Sequence, residues 1–171
     1  MNKVFIVKRN RSLSKTEFDF LLSLCENEKK EKILRKKKME DRENSVLGNA
    51  IAKYAIKKIF KTSVSDIFFL YEENGKPYFK DGIFFSISHS GEMIVCVVSD
   101  KPVGIDIQKE KEISQKTSEY ITGNADCDLK EFFKLWTKRE AVYKKNGSIL
   151  KLNSEKVKYY YMEGYYICVT E

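Results

Sequence analysis

The chain has 171 residues, 42% of them hydrophobic with many Phe and Tyr, and a formal net charge of +7. Such a chain buries a substantial core as one domain or two small halves, which excludes disorder, and its charge asks for an anionic partner: nucleic acid, a phosphorylated cofactor or an acidic protein. Cys25, Cys96, Cys127 and Cys168 form no CxxC pair and there is one histidine, so neither a structural zinc site nor a redox dithiol is expected. Scattered thiols fit a reducing cytosol, and Val4-Phe-Ile-Val7 is too short for a signal-peptide core or a membrane span.

Lys3–Lys8 reads as an opening strand. Ser14, with Glu17 three residues on, predicts the N-cap of a helix carrying Phe18, Leu21, Leu22 and Leu24. Residues 29–42 are dominated by Lys and Arg. A charge run is most often a solvated helix face; the functional alternative is an anion clamp, with Lys29 and Lys32 on one side. A nucleic-acid surface is a third alternative, weakened because no aromatic residue is interleaved. Ser45 is expected to cap the next helix, whose apolar face holds Leu47, Ala50, Ile51, Tyr54 and Ile59 and which runs over 47–60. Asp66–Tyr71 is strand-like, and Asn74-Gly75 signals a tight turn. Lys76, just past it, is either solvated or placed over a ligand at the sheet end.

The Ile83–Ile87 run alternates as a strand does and leads into Ser88-His89-Ser90-Gly91. A lone His is commonly a turn or packing residue, yet a His between two hydroxyls is equipped to hold phosphate. As a hydrolase signal, a Ser-His pair without an acid to orient it is weak. Met93–Val98 is the next strand, and Pro102 marks a break between halves. From Val103 to Gln108, Ile105 and Ile107 face one way and Gly104, Asp106 and Gln108 the other. Gly104 leaves room for a ligand near the backbone. Asp106 and Gln108 present oxygens that suit a hard cation such as Mg²⁺, or form an ordinary exposed strand face.

Residues 109–128 are polar, a short helix or loop broken at Gly123-Asn124. Leu129–Lys145 is a predicted helix with Leu129, Phe132, Phe133, Trp136 and Ala141 on its apolar face and Asn146-Gly147 at its C-cap. Trp136, Glu140 and Lys144 recur at steps of four and share a ridge. The carboxylate and ammonium could hold a metal and an anion side by side, or form a surface salt bridge on a solvated face. Val157–Thr170 is a hairpin turning near Glu163-Gly164. A faint repeat relates the helix at 47–60 and Gly91-Glu-Met-Ile-Val-Cys-Val to the helix at 129–145 and Gly164-Tyr-Tyr-Ile-Cys-Val. The expected architecture is α+β: two similar halves, 1–101 and 102–171, each a helix packed on a small antiparallel sheet, with the site in the cleft between them.

Gly104-Ile-Asp-Ile-Gln108, Trp136-Thr-Lys-Arg-Glu-Ala-Val-Tyr-Lys144 and Phe85-Ser-Ile-Ser-His-Ser-Gly91 resemble motifs of the 4′-phosphopantetheinyl transferases, in particular the monomeric, pseudo-dimeric, surfactin-synthetase-activating type. The resemblance extends to Glu28-Lys-Lys-Glu-Lys32, Ser45-Val-Leu-Gly48 and Gly75-Lys-Pro77, in order along most of the chain. It implies transfer of 4′-phosphopantetheine from coenzyme A to a serine hydroxyl of an apo acyl or peptidyl carrier protein, with release of adenosine 3′,5′-bisphosphate. The metal it implies is Mg²⁺, with Mn²⁺ as a substitute, held by Asp106, Glu140 and Gln108. Asp106, Glu140 and Lys144 become the catalytic group, with Lys144 on the pyrophosphate. Ser88 and His89 become a phosphate-binding pair, and Lys29, Lys32, Ser45 and Lys76 further nucleotide contacts. The resemblance also implies a cytoplasmic monomer without membrane or nucleic-acid partners. The alternatives to it are a basic nucleic-acid-binding module using residues 29–42 and a relative that binds coenzyme A without catalysis. Gln108 stands where many members have Glu, and Arg139 where Lys is usual. The 108–136 segment and the tail, where carrier contacts partly lie, are short beside those of better-known members.

Overall fold

The computed structural model describes residues 2–72, 75–79 and 82–171. The first sheet contains β1 (Lys3–Lys8), β4 (Phe84–Ser90) and β5 (Met93–Ser99), antiparallel in the order β1-β5-β4. Every residue of β5 is buried, because both of its faces are covered. Ile94, Cys96 and Val98 join Phe85 and the face of α3 (Met39–Phe60) formed by Ile51, Ala55 and Ile56. Met93, Val95 and Val97 pack instead on the second sheet.

That second sheet is antiparallel in the order β6-β8-β7, from β6 (Ile105–Lys109), β7 (Val157–Met162) and β8 (Tyr165–Thr170). Ile105, Ile107, Ile167 and Val169 face β5. On the opposite face Tyr166 stacks on Phe133 of α5 (Leu129–Asn146), ring centroids 5.3 Å apart. The layers therefore run α3, first sheet, second sheet, α5. Each fully buried Ile or Val between them contributes about 1.5–3 kcal/mol.

Several expected elements form where local chemistry dictates them. α1 (Lys15–Ser23) starts at Ser14 with a complete capping box to Glu17. α4 (Gln115–Thr122) and α5 end at Gly123 and Gly147 in left-handed conformations, which glycine adopts without a Cβ clash. The β7–β8 hairpin turns on Glu163 and Gly164, both at positive φ.

Three expectations are corrected. Ser45 does not cap a helix: α3 begins at Met39, and the Ser45 hydroxyl donates to the Asp41 carbonyl one turn back, at 2.6 Å. Asp66–Tyr71 is not one strand. Val64–Asp66 is a 3₁₀ turn, and only β2 (Leu70–Tyr71) pairs, with β3 (Pro77–Tyr78). Of the expected Asn74-Gly75 turn, Asn74 lies outside the described residues, while Gly75 has φ +82° and donates to the Glu72 carbonyl. Finally, Gly104 makes room for α5 and not for a ligand. A Cβ there would lie 1.9 Å from the Ala141 carbonyl oxygen. The α5 backbone thus rests directly on the start of β6.

The two sheets meet along β4 and β6 through side chains. The hydroxyls of Ser86, Ser88 and Ser90 accept from the amides of Ile105, Ile107 and Lys109 at 3.3, 3.4 and 2.9 Å. The period-two alternation of β4 sends Phe85 to the α3 core and every second residue, a serine, to this seam. Among the described residues no helix is long and apolar enough to cross a membrane.

Candidate active site

The seam and the α5–Gly104 contact together fix the surroundings of Asp106, which is 2% exposed. Its Oδ1 accepts from Ser88 Oγ and from Lys144 Nζ, each at 2.7 Å, and its Oδ2 accepts from Gln108 Nε2 at 3.0 Å. Lys144 Nζ also donates to Ser88 Oγ at 2.9 Å. A buried carboxylate held by an ammonium, a hydroxyl and an amide is compensated, where an unpaired one would be costly. Glu140, half-buried, stands one turn earlier on α5. No hydrogen bond links it to Asp106 or Gln108 among the described residues.

Lys144 also lines a cleft of about 320 Å³, with Lys29, Lys36, Ser45, Lys76 and His89. Its apolar wall includes Phe69, Tyr71, Phe85 and Tyr143. The folding of the basic run explains which lysines reach it. α2 (Asn27–Leu34) carries Lys29 toward the cleft, and the link at 35–38 delivers Lys36. Lys32 is not part of the lining. It pairs with Glu28 at 2.5 Å and lies 5.3 Å from the centre of the Tyr71 ring, bracing a residue that does line the cleft. Arg35 pairs with Glu31, and Arg42 donates to the Lys36 carbonyl. The run is therefore split between two helices, with no single continuous basic face. Lys76 Nζ reaches across to the Lys145 carbonyl at 3.3 Å.

Burial lowers the pKa of His89 below its ordinary value, and the charges of Lys36 and Lys144 add to the effect against Asp41. The pKa of Lys29 is also lowered, by burial first. Both groups gain from an arriving anion, which would offset the desolvation and the crowding of like charge. The cysteines take no part: Cys25, Cys96 and Cys168 are buried, and burial raises the Cys25 thiol to about 11 and that of Cys168 to about 12.

Sequence reasoning missed Lys36, Asn44 and Tyr71. Asn44 is buried in α3, accepts from Arg9 Nε at 3.2 Å and donates to the Gly91 carbonyl at 2.9 Å, fixing the turn that follows His89. A polar residue on the apolar stripe of a helix was the available signal. Tyr71 left none, because its place depends on the β2–β3 ribbon folding over the cleft. Among the described residues no three His, Cys, Asp or Glu side chains cluster to hold a metal. The third expected donor, Gln108, supplies an amide oxygen and so falls outside that set.

A cationic cleft, one of whose lysines is bonded to a buried carboxylate, is chemically suited to a phosphorylated ligand. Residues 11–101 match the family described as 4′-phosphopantetheinyl transferase, N-terminal. The chain is 33% identical over 162 residues to 4′-phosphopantetheinyl transferase Sfp of Bacillus subtilis (strain 168), covering 88% of this chain and 72% of that protein. It is 31% identical over 166 residues to 4′-phosphopantetheinyl transferase gsp of Aneurinibacillus migulanus, covering 90% and 70%. The chain belongs to the 4′-phosphopantetheinyl transferase family, as an enzyme of the type that includes these relatives.

Proposed function

We propose that the chain transfers the 4′-phosphopantetheine group of coenzyme A to a serine hydroxyl of an apo acyl or peptidyl carrier protein, releasing adenosine 3′,5′-bisphosphate. The observation that carries this reading is that Lys144 both lines the basic cleft and bonds Asp106, so ligand phosphate and acidic group share one lysine. In this reading residues 1–101 form the nucleotide-binding half and 102–171 the half that carries the acidic oxygens, the two related by a pseudo-two-fold axis. The cleft draws on residues of both halves of one chain, which supports a site completed within a single copy.

Lys29, Lys36 and His89 hold phosphate at one end of the cleft, with Ser45 beside them. Lys76 and Lys144 hold the pyrophosphate. The serine oxygen attacks the phosphorus that bears the pantetheine, and the bond from that phosphorus to the bridging oxygen breaks. The electron pair leaves with adenosine 3′,5′-bisphosphate, and Glu140 takes the serine proton. Lys144 stabilises the charge that builds on the phosphoryl oxygens.

Asp106, Glu140 and Gln108 fit a divalent ion by donor chemistry: two carboxylates and an amide oxygen are hard ligands suited to Mg²⁺ or Mn²⁺. Asp106 already accepts a cation at 2.7 Å, and Gln108 donates through Nε2, leaving Oε1 for another partner. When bound, the ion would supply further neutralisation of the pyrophosphate.

Mass spectrometry of an apo carrier protein incubated with the chain, coenzyme A and Mg²⁺ tests the proposal. The expected result is a gain of one phosphopantetheine. Tight coenzyme A binding without any gain across a panel of apo carriers would identify a non-catalytic binding protein instead.

A further inference from the structure

We propose that Lys144 and the divalent ion compete for Asp106, and that coenzyme A draws Lys144 off the carboxylate, so that metal and coenzyme A bind cooperatively. The inference rests on the functional reading above.

The lone pairs of Asp106 are the starting point. Oδ1 accepts from both Ser88 Oγ and Lys144 Nζ at 2.7 Å, which fills the two acceptor positions of a carboxylate oxygen. Oδ2 accepts from Gln108 Nε2. Three of the four acceptor positions are thus taken, and an ion that draws on Oδ1 displaces a donor there, of which Lys144 is the one able to leave. Ser88 is buried in the seam and also accepts from the Ile107 amide. The Lys144 side chain is 27% exposed and opens onto the cleft. Lys144 cannot simply depart, because Asp106 would keep a buried charge without a counter-ion. The carboxylate thus exchanges one cation for another. Gln108 sharpens the exchange: its neutral amide donates to Oδ2 and adds no negative charge on β6, so on this strand Asp106 alone answers to both ion and lysine. An anionic ligand in the cleft gives the displaced ammonium a new partner.

Mn²⁺ serves as the probe, titrated by electron paramagnetic resonance with no carrier present. In the wild-type chain, saturating coenzyme A is expected to tighten Mn²⁺ about tenfold, a usual size for coupled sites. Lys144→Met is expected to bind Mn²⁺ about tenfold more tightly than wild type without coenzyme A, and to lose most of the coupling. Lys138→Met removes the same charge from α5, near Cys168, which pairs across from Asp106, and is expected to match wild type. Should Lys144→Met fail to fold, Lys144→Gln keeps a donor for Asp106 without the charge and carries the same comparison. A neutral variant that binds Mn²⁺ no better than wild type, or no better than Lys138→Met, overturns the exchange, as does coupling to coenzyme A that survives undiminished. Failure of the wild-type chain to modify any carrier would sink the functional reading alone, since the comparison in Mn²⁺ without coenzyme A still decides the exchange.

Discussion

Lys29, Lys36 and His89 line the cleft and make no ion pair among the described residues, and burial depresses the pKa of both Lys29 and His89. Lys144 lines the same cleft but is bonded to Asp106 and Ser88. The first group is expensive to keep without a ligand and is relieved by one, which is how a binding site is built. The second is satisfied as it stands and holds its members in register, which is how a reacting centre is positioned. Substitutions in the two groups must therefore damage different quantities.

The largest effect belongs to the positioned group. Asp106→Asn removes the charge that fixes Lys144, and kcat/KM for an apo carrier is expected to fall about 10³-fold, read by mass-spectrometric kinetics. Gly104→Ala attacks the same group through its scaffold. Pushing a methyl into the Ala141 carbonyl should cost about 3 kcal/mol in denaturant unfolding, with α5 shifted from β6. In the unpaired basic group Lys29→Ala and Lys36→Ala should each weaken binding of adenosine 3′,5′-bisphosphate about tenfold by calorimetry while kcat holds. Lys32→Ala, whose lysine only braces Tyr71, should cost less than about threefold. Equal losses at Lys32 and Lys36 would erase the distinction between lining and bracing.

Two further effects refine the contrast. Gln108→Glu adds a carboxylate beside Asp106 and should lower the Mg²⁺ concentration needed for half-maximal activity about fivefold. An unchanged Mg²⁺ requirement would show that position 108 does not bear on the metal. His89 should give a pH signature of about threefold. Its folded pKa lies below the unfolded 6.5, so the ligand-free fold keeps this contribution above about pH 6.5 and loses it as pH falls. A bound phosphate favours the imidazolium, so affinity for adenosine 3′,5′-bisphosphate rises as pH falls toward that range. His89→Asn should flatten the part of the profile that the ligand's own titration does not explain.

What could be read from the sequence was what local chemistry decides. The Ser14–Glu17 capping box, the glycine ends of α4 and α5 and the turn at Glu163-Gly164 each sit within a few residues of their cause. The start of α3 could not be read, because Lys38 provides no side-chain cap and the first turns are held by burial of Glu43, Asn44 and Val46. Asp66–Tyr71 has strand-like residues, but Ile67 and Phe69 are taken into the α3 core and only two residues remain to pair. In the site, Lys29, Ser45, Lys76, His89 and Lys144 line one cleft, and Ser88 and Gln108 meet Asp106. Lys36 and Tyr71 could not be read, because their place depends on how the link after α2 and the β2–β3 ribbon meet that cleft. Gly104 was rightly singled out as a close approach, but the approaching group is the helix backbone at Ala141, far along the chain, which spacing alone does not reveal.

The row of serines along β4 has an evolutionary consequence. Ser86, Ser88 and Ser90 bond β6 through their hydroxyls and not through a backbone ladder, so the register inside each sheet is set independently of this seam. Divergence along this line can therefore retune the angle between the halves, and with it the width of the ligand's berth, one atom at a time. Ser88 is the exception: its oxygen also serves Asp106 and Lys144, so drift there reaches the chemistry at once.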